Sequence, residues 1–204
     1  DKRESAKSPA VAVVTSGDHF LDVVVDHPYY TAILDLAGAG VVNGKTDGKF
    51  YPDESVMRQQ FAKMIVLGCG YAAWEDDVCP FGDVTKSGPA SLYPDNFVAV
   101  CAARGITVGR LNERGILVFA PYDSITRAQV ATMVVRAAQD YKPSAVVEPP
   151  SHWDGYLPTG DKDHGKNIAL AEYNGLLDGI DLSSFTVTKS ATRGEIAQII
   201  YNLR

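Results

Sequence analysis

The chain has 204 residues, of which 46% are hydrophobic and 22% charged, the balance of a protein that buries a core and not of a disordered tail. Nineteen Lys and Arg against 25 Asp and Glu leave a net charge of −6, which argues against holding nucleic acid or an acidic membrane surface by bulk charge. No apolar run approaches eighteen residues, so no membrane span is expected. The chain opens Asp1-Lys2-Arg3-Glu4 without an initiator Met or an apolar signal core, as expected of an excised region or a processed product.

Three cysteines (Cys69, Cys79, Cys101) with no CxxC pair, and four histidines without ligand spacing, predict no metal site and no metal cofactor. Asn43 to Glu54 has the length of an EF-hand loop, but Lys45 stands at a ligand position and argues against calcium. No carboxylate pair recurs and no Ser-His-Asp or Cys-His set stands out, so no catalytic residue is assigned.

In chain order, residues 1–18 read as an N-terminal tail or strap. Phe20-Leu-Asp22-Val23 opens a first unit, residues 19–78. A helix follows and ends at Gly40, the first glycine of the frame Gly40-Val-Val-Asn-Gly44. Then comes the turn Asp47-Gly48-Lys49-Phe50-Tyr51-Pro52 and a second helix headed by Arg58, with Phe61, Met64 and Ile65 on one face. The second unit, 79–142, repeats this. Phe81-Gly-Asp83-Val84, a helix to Gly105-Ile-Thr-Val-Gly109, a loop with Phe119, Pro121 and Tyr122, and a helix headed by Arg127 follow in turn. Pro143, Pro149 and Pro150 mark residues 143–152 as a linker. The third unit, 153–204, begins at Trp153-Asp154, a degenerate form of the opening motif. It runs through Gly175-Leu-Leu-Asp-Gly179 and Phe185 to a helix headed by Arg193.

Fixed offsets tie the units together. Arg58, Arg127 and Arg193 lie 69 and 66 residues apart, with Phe eight residues and Ser three residues before each. Thr126-Arg127-Ala128-Gln129 and Thr192-Arg193-Gly194-Glu195 are capping boxes that put the arginine at the first helical position. The first glycine of each G-x-x-x-G frame is placed for a left-handed helix cap. Each unit is therefore helix, glycine-rich loop, helix. None has a closed core of its own, so the three second helices are expected to pack together.

This string of F-x-D-V, helix, G-x-x-x-G, F-x-P loop and Ser-Ile-Thr-Arg-Ala-Gln resembles the S-layer homology domain, in three tandem copies over nearly all of residues 19–204. The resemblance implies a mainly α fold, a pseudo-three-fold spindle of three helix–loop–helix repeats around a central three-helix bundle. It also implies extracellular, non-covalent anchoring to a secondary cell-wall polysaccharide bearing an anionic, carboxylate-type sugar such as a pyruvate ketal. The ligand grooves would lie between units, and the protein would be a monomer with trimer-like symmetry. The family's principal ligand contact matches Arg58, Arg127 and Arg193. Tyr51 and Tyr122, beside the loop prolines, are candidates to stack on sugar rings, and Gly44, Gly109 and Gly179 are further candidate ligand-binding residues. A helix N-terminus with Arg at its first position is also a compact anion site on physical grounds. The other function classes considered are a surface-array docking module that has lost sugar binding and an enzyme acting on the wall.

The copies differ. Met57 replaces the capping Thr, the second loop is four residues longer (Gly109 to Arg127 is 18 residues against 14), and Val187 stands where the others have Pro52 and Pro121. Arg127, with the intact start and loop, is thus expected to carry the most binding. In an exported protein Cys69 is expected to pair with Cys79, leaving Cys101 a buried thiol.

Overall fold

A computed structural model describes residues 20–88 and 90–204; the strap assigned to residues 1–18 lies outside them. The protein is mainly helical. Its elements are α1 (Tyr30–Gly38), α2 (Arg58–Gly68), α3 (Asp95–Ala103), β1 (Arg110–Leu111), β2 (Leu117–Val118), α4 (Arg127–Tyr141), α5 (Gly165–Tyr173) and α6 (Arg193–Leu203), with a 3-10 turn at Pro143–Ala145. The four extra residues of the second loop are absorbed by the antiparallel hairpin β1–β2, in which Arg110 faces Val118.

The predicted helical stripes are the buried faces. Phe61, Met64 and Ile65 on α2, Val130, Met133, Val134 and Ala137 on α4, and Ile196, Ile199, Ile200 and Leu203 on α6 all enter one core. The helix signals also work as the local chemistry requires. Thr126 Oγ1 accepts from the Gln129 amide (3.3 Å) and Thr192 Oγ1 from the Glu195 amide (3.3 Å). On α2 only the reciprocal half survives, Gln60 Oε1 accepting from the Met57 amide at 2.9 Å. Gly40, Gly105 and Gly175 take φ of +72°, +69° and +70°. The next amide in each case (Val41, Ile106, Leu176) returns at 2.9 Å to a carbonyl five residues back. That is the left-handed helix ending predicted for them.

Packing crosses the sequence units. α1 packs on α6, α3 on α2 and α5 on α4, while α6 also meets α2 and α4. A helix leading into a G-x-x-x-G frame thus leans on the arginine-headed helix of another unit. Where α2 and α6 meet, a Cβ on Gly68 would stand 2.6 Å from Ile200 Cγ2, so glycine sets how closely they approach. Just ahead of the arginine helices a closed ring of backbone bonds forms. Ile125 N–H donates to the Val56 carbonyl (2.8 Å), Ala191 N–H to Ile125 (2.9 Å), and Val56 N–H to Ala191 (3.3 Å). All three residues are buried.

The expected Cys69–Cys79 disulfide is not made, and all three cysteines are free thiols. Cys69 is buried at the end of α2, where burial pushes its pKa up to about 11. Cys79 is half-buried, with its sulfur 3.9 Å from the Phe81 carbonyl. Cys101 is fully buried, as expected, and faces the Ala62 carbonyl at 3.6 Å.

Candidate functional site

Each arginine-headed helix docks its first turn onto a loop from another sequence unit. The Arg58 and Gln59 amides donate to Asp123 and Pro121, those of Arg127 and Ala128 to Lys189 and Val187, and those of Arg193 and Gly194 to Glu54 and Pro52, at 2.8–3.2 Å. Val187, standing where the other loops have proline, still supplies its carbonyl. These bonds correct the simplest picture of the site. The helix-start amides expected to meet an anion already have partners: the first two on the neighbouring loop, the third on a capping threonine in α4 and α6. What remains for a ligand is the guanidinium.

The guanidinium groups follow the same order. Arg58 lies over the Phe119 ring (4.8 Å to its centre), Arg127 over Phe185 (4.7 Å) and Arg193 over Phe50 (4.4 Å). Arg58 Nε donates to the Phe119 carbonyl at 2.7 Å, and Arg193 Nε to the Phe50 carbonyl at 2.9 Å. The phenylalanines are core residues, and each lies under the arginine of a different unit.

An aspartate of the F-x-D-V motif holds each of the first two loops in this position. Asp22 accepts from the Phe50 (2.8 Å) and Tyr51 (2.7 Å) amides, and Asp83 from those of Phe119 (2.9 Å) and Ala120 (2.7 Å). Tyr51 and Ala120 sit at φ of +61° and +57°, the bend that turns the preceding carbonyl toward the arginine. Asp154 makes no such contact in the third copy.

Beyond this shared frame the arginines differ. The Arg58 side chain is 8% exposed, yet its Nη atoms have no hydrogen-bond partner and no carboxylate lies within ion-pair distance among the described residues. Burial, then the nearby Arg110, lower its pKa from the ordinary value. Arg193 is similar, with one Nη bonded to the Asn43 carbonyl (2.9 Å) and its pKa lowered by burial. Arg127 is fully engaged: it pairs with Glu195 through Nε (3.1 Å) and Nη2, and its Nη1 reaches the Ser184 and Thr186 carbonyls. The residue expected to lead in binding is the one whose charge is met within the protein.

The aromatic candidates are not equivalents. Tyr51 precedes its loop proline and Tyr122 follows one. Tyr51 lines a shallow pocket of about 320 Å³ with Asp22, Pro52, Asp53 and Glu54, hydrogen-bonds Asp47 and lies under Lys45. Lys45 itself pairs with Glu54 (2.5 Å), where the EF-hand reading would need ligands. Tyr122 is 63% exposed and shares a 3.1 Å hydrogen bond with Thr85 Oγ1. The fold sets the Tyr122 loop against Arg58, and the Tyr51 loop against Arg193.

Of the glycines, Gly44 and Gly109 lie against the Phe20 and Phe81 rings, where an added Cβ would fall 2.5 Å from a ring carbon. Gly179 lies against Gln198. Two residues went unseen in the sequence. Tyr93 has a raised pKa from burial and from Tyr122. Gln59 is 5% exposed, and its Oε1 has no partner. Neither has a repeated counterpart, so the offsets that exposed the arginines could not expose them.

Residues 19–62 match the model of the S-layer homology domain. The chain is 28% identical over 188 residues to an endoglucanase of Bacillus sp. (strain KSM-635), covering 90% of the chain and 18% of that protein. It is 30% identical over 174 residues to the exoglucanase XynX of Acetivibrio thermocellus (82% of the chain, 14% of that protein). An amylopullulanase of Thermoanaerobacterium thermosulfurigenes shows the same identity over the same length, there 8% of the relative. The chain thus spans less than a fifth of each of these relatives.

Proposed function

We propose, from the S-layer homology domain at residues 19–62, that the described chain is three such repeats (19–78, 79–142 and 153–204, with a linker at 143–152) forming a cell-wall anchor. The three repeats close into a pseudo-three-fold spindle, with α2, α4 and α6 as its central bundle. The backbone ring through Val56, Ile125 and Ala191 and the cyclic order of the arginine–loop contacts support that arrangement. The module works outside the cell, as a monomer, and binds a cell-wall polysaccharide non-covalently in the grooves between repeats.

The observation that carries the sugar-binding reading is the state of Arg58 and Arg193. Both guanidinium groups lie at a boundary between the proposed repeats without an ion-pair partner among the described residues, Arg58 with both Nη atoms open and the half-buried Arg193 with one. A mostly covered cation without a counter-ion is poorly compensated, and a sugar carboxylate reaching the open Nη groups supplies the missing charge. Tyr122 and Tyr51 stand on the loops facing these arginines, placed to cover the apolar face of a sugar ring. Gly44, Gly109 and Gly179 shape the loops and let the side chains beneath come close. The module has no chemistry of its own. Relatives named for three different activities share this segment as a small part of their length, so it does not set what each enzyme does.

Co-sedimentation with purified wall sacculi tests the proposal. The protein is expected to pellet with intact sacculi and to stay in solution with sacculi stripped chemically of their secondary polysaccharide. Equal pelleting with both would overturn the sugar reading and favour a protein-docking module of the same fold.

A further inference from the structure

Arg58 and Arg193 have no ion pair among the described residues, yet two carboxylates lie close enough for their charge to be felt at each. They are Asp123 and Asp83 at Arg58, and Glu54 and Asp22 at Arg193. Asp83 and Asp22 are committed, each with both oxygens on consecutive amides of its own loop. Asp123 and Glu54 are not held in that way. They occupy the loop position whose carbonyl accepts from the amide of the incoming arginine, 3.0 Å from Arg58 and 2.9 Å from Arg193. Their carboxylates meet a cation of their own unit instead. Arg110 Nη2 lies 2.6 Å from Asp123 Oδ2, and Lys45 Nζ lies 2.5 and 2.6 Å from the two Glu54 oxygens. Arg110 and Lys45 are equivalents, each the residue after the second glycine of its frame (Gly109 and Gly44). In the third copy both positions change together: Lys189 stands on the loop and Ile180 follows Gly179. Both ion pairs are about half exposed, where such pairs add little stability. Stability alone does not explain a pair made twice at the same place and absent where the loop has no carboxylate.

We infer that Arg110 and Lys45 are positioning residues that tie the loop carboxylate back, holding Asp123 off Arg58 and Glu54 off Arg193 so that each guanidinium keeps its charge for a ligand carboxylate. Released from Arg110, Asp123 turns to the nearest uncompensated cation, and a mostly covered guanidinium attracts a carboxylate more strongly than an exposed one does. Arg58 would still have N–H groups to offer, but its charge would be shared between two anions. The sugar acid would then bind against the repulsion of Asp123. The hairpin β1–β2 gains a purpose in this arrangement, because it fixes Arg110 opposite Val118 on a short sheet beside the loop. The inference rests on the sugar-binding reading and adds to it the residues that keep two of the arginines available.

The test follows the Arg58 Nε–H signal of the isotope-labelled full chain by NMR. That group donates to the Phe119 carbonyl at 2.7 Å, which shelters it from exchange, and its loss in Arg58→Lys assigns it. The probe is a methyl hexoside carrying a 4,6-linked pyruvate ketal, with the unsubstituted hexoside as control. Compared are the wild type, Arg110→Ala, Asp123→Asn and the two combined, each checked for cooperative melting. Arg110→Ala is expected to bind the ketal sugar about tenfold more weakly at Arg58, and the combined variant to recover to within about twofold of wild type, since no carboxylate is left to turn. The control hexoside should show none of these differences. Before sugar is added, Arg110→Ala should move the Arg58 signal further when Asp123 is present than when Asp123→Asn accompanies it. Unchanged affinity in a folded Arg110→Ala overturns the tie. So does a loss that the added Asp123→Asn fails to relieve, which would make Arg110 a contact of the sugar itself. A wild type whose Arg58 signal ignores the ketal sugar overturns the sugar-binding reading at this groove, and the sugar-free shifts then decide the tie alone.

Discussion

Asp22 and Asp83 commit both carboxylate oxygens to consecutive amides of a loop 28 to 37 residues downstream, and that loop presents its carbonyl to an arginine from another proposed repeat. Asp83→Asn leaves one oxygen to do the work of two. Hydrogen bonds to a charged group contribute about 1.5–3 kcal/mol each, so urea denaturation should show a loss of that order and weaker sugar binding at Arg58. Met57 is the opposite case, a position where the chain falls short of its own pattern. Thr at this place in α4 and α6 accepts an amide, so Met57→Thr should stabilise the protein by about 1 kcal/mol, read as a higher denaturation midpoint. The sequence showed these motifs but not their partners. A Phe eight residues before an Arg looks like a neighbour in the same repeat, yet the ring under Arg58 is Phe119. Spacing along one chain records what recurs, while contact between copies depends on how the copies close on one another.

At the scale of elements, capping chemistry and periodicity were legible because they are local. Threonine, glutamine and glycine act within one turn of the backbone, and the apolar stripes of α2, α4 and α6 face the core as their spacing required. The hairpin β1–β2 was visible only as extra length. Gly105 allows a clean test, since a Cβ there meets nothing within 4 Å and the cost of a side chain lies in the left-handed backbone alone. Gly105→Ala should therefore cost about 1–2 kcal/mol in unfolding free energy. Three helix ends meet at Asp140, which accepts from Tyr71 (2.6 Å) beyond α2 and from Arg104 (2.8 Å) beyond α3. The Tyr71 hydroxyl, followed by Arg104, lowers the Asp140 pKa below the ordinary 3.8. A lowered carboxyl pKa stabilises the fold above the unfolded value, and that contribution fades as pH falls through the folded one. The gap in melting temperature between wild type and Asp140→Asn should accordingly narrow below about pH 4. A gap independent of pH would remove Asp140 from the acid response.

For the whole molecule, the decisive property is that the three proposed repeats share one hydrophobic core. α1 leans on α6, α3 on α2 and α5 on α4, so removing one repeat exposes a face of another. Unfolding should be a single cooperative transition, with the calorimetric enthalpy equal to the van't Hoff value; separate transitions would contradict the closed arrangement. The proposed function depends on the same packing, because each candidate groove needs an arginine from one proposed repeat and a loop from another. The central claim is that the unpaired guanidinium groups at these boundaries hold the wall polymer. Its most direct test is the affinity of the folded Arg58→Ala, Arg193→Ala double variant for purified wall sacculi. At about 1.5–3 kcal/mol for each charge-assisted contact, the account predicts binding weakened at least a hundredfold, with melting still cooperative. Wild-type affinity in that folded double variant would contradict it.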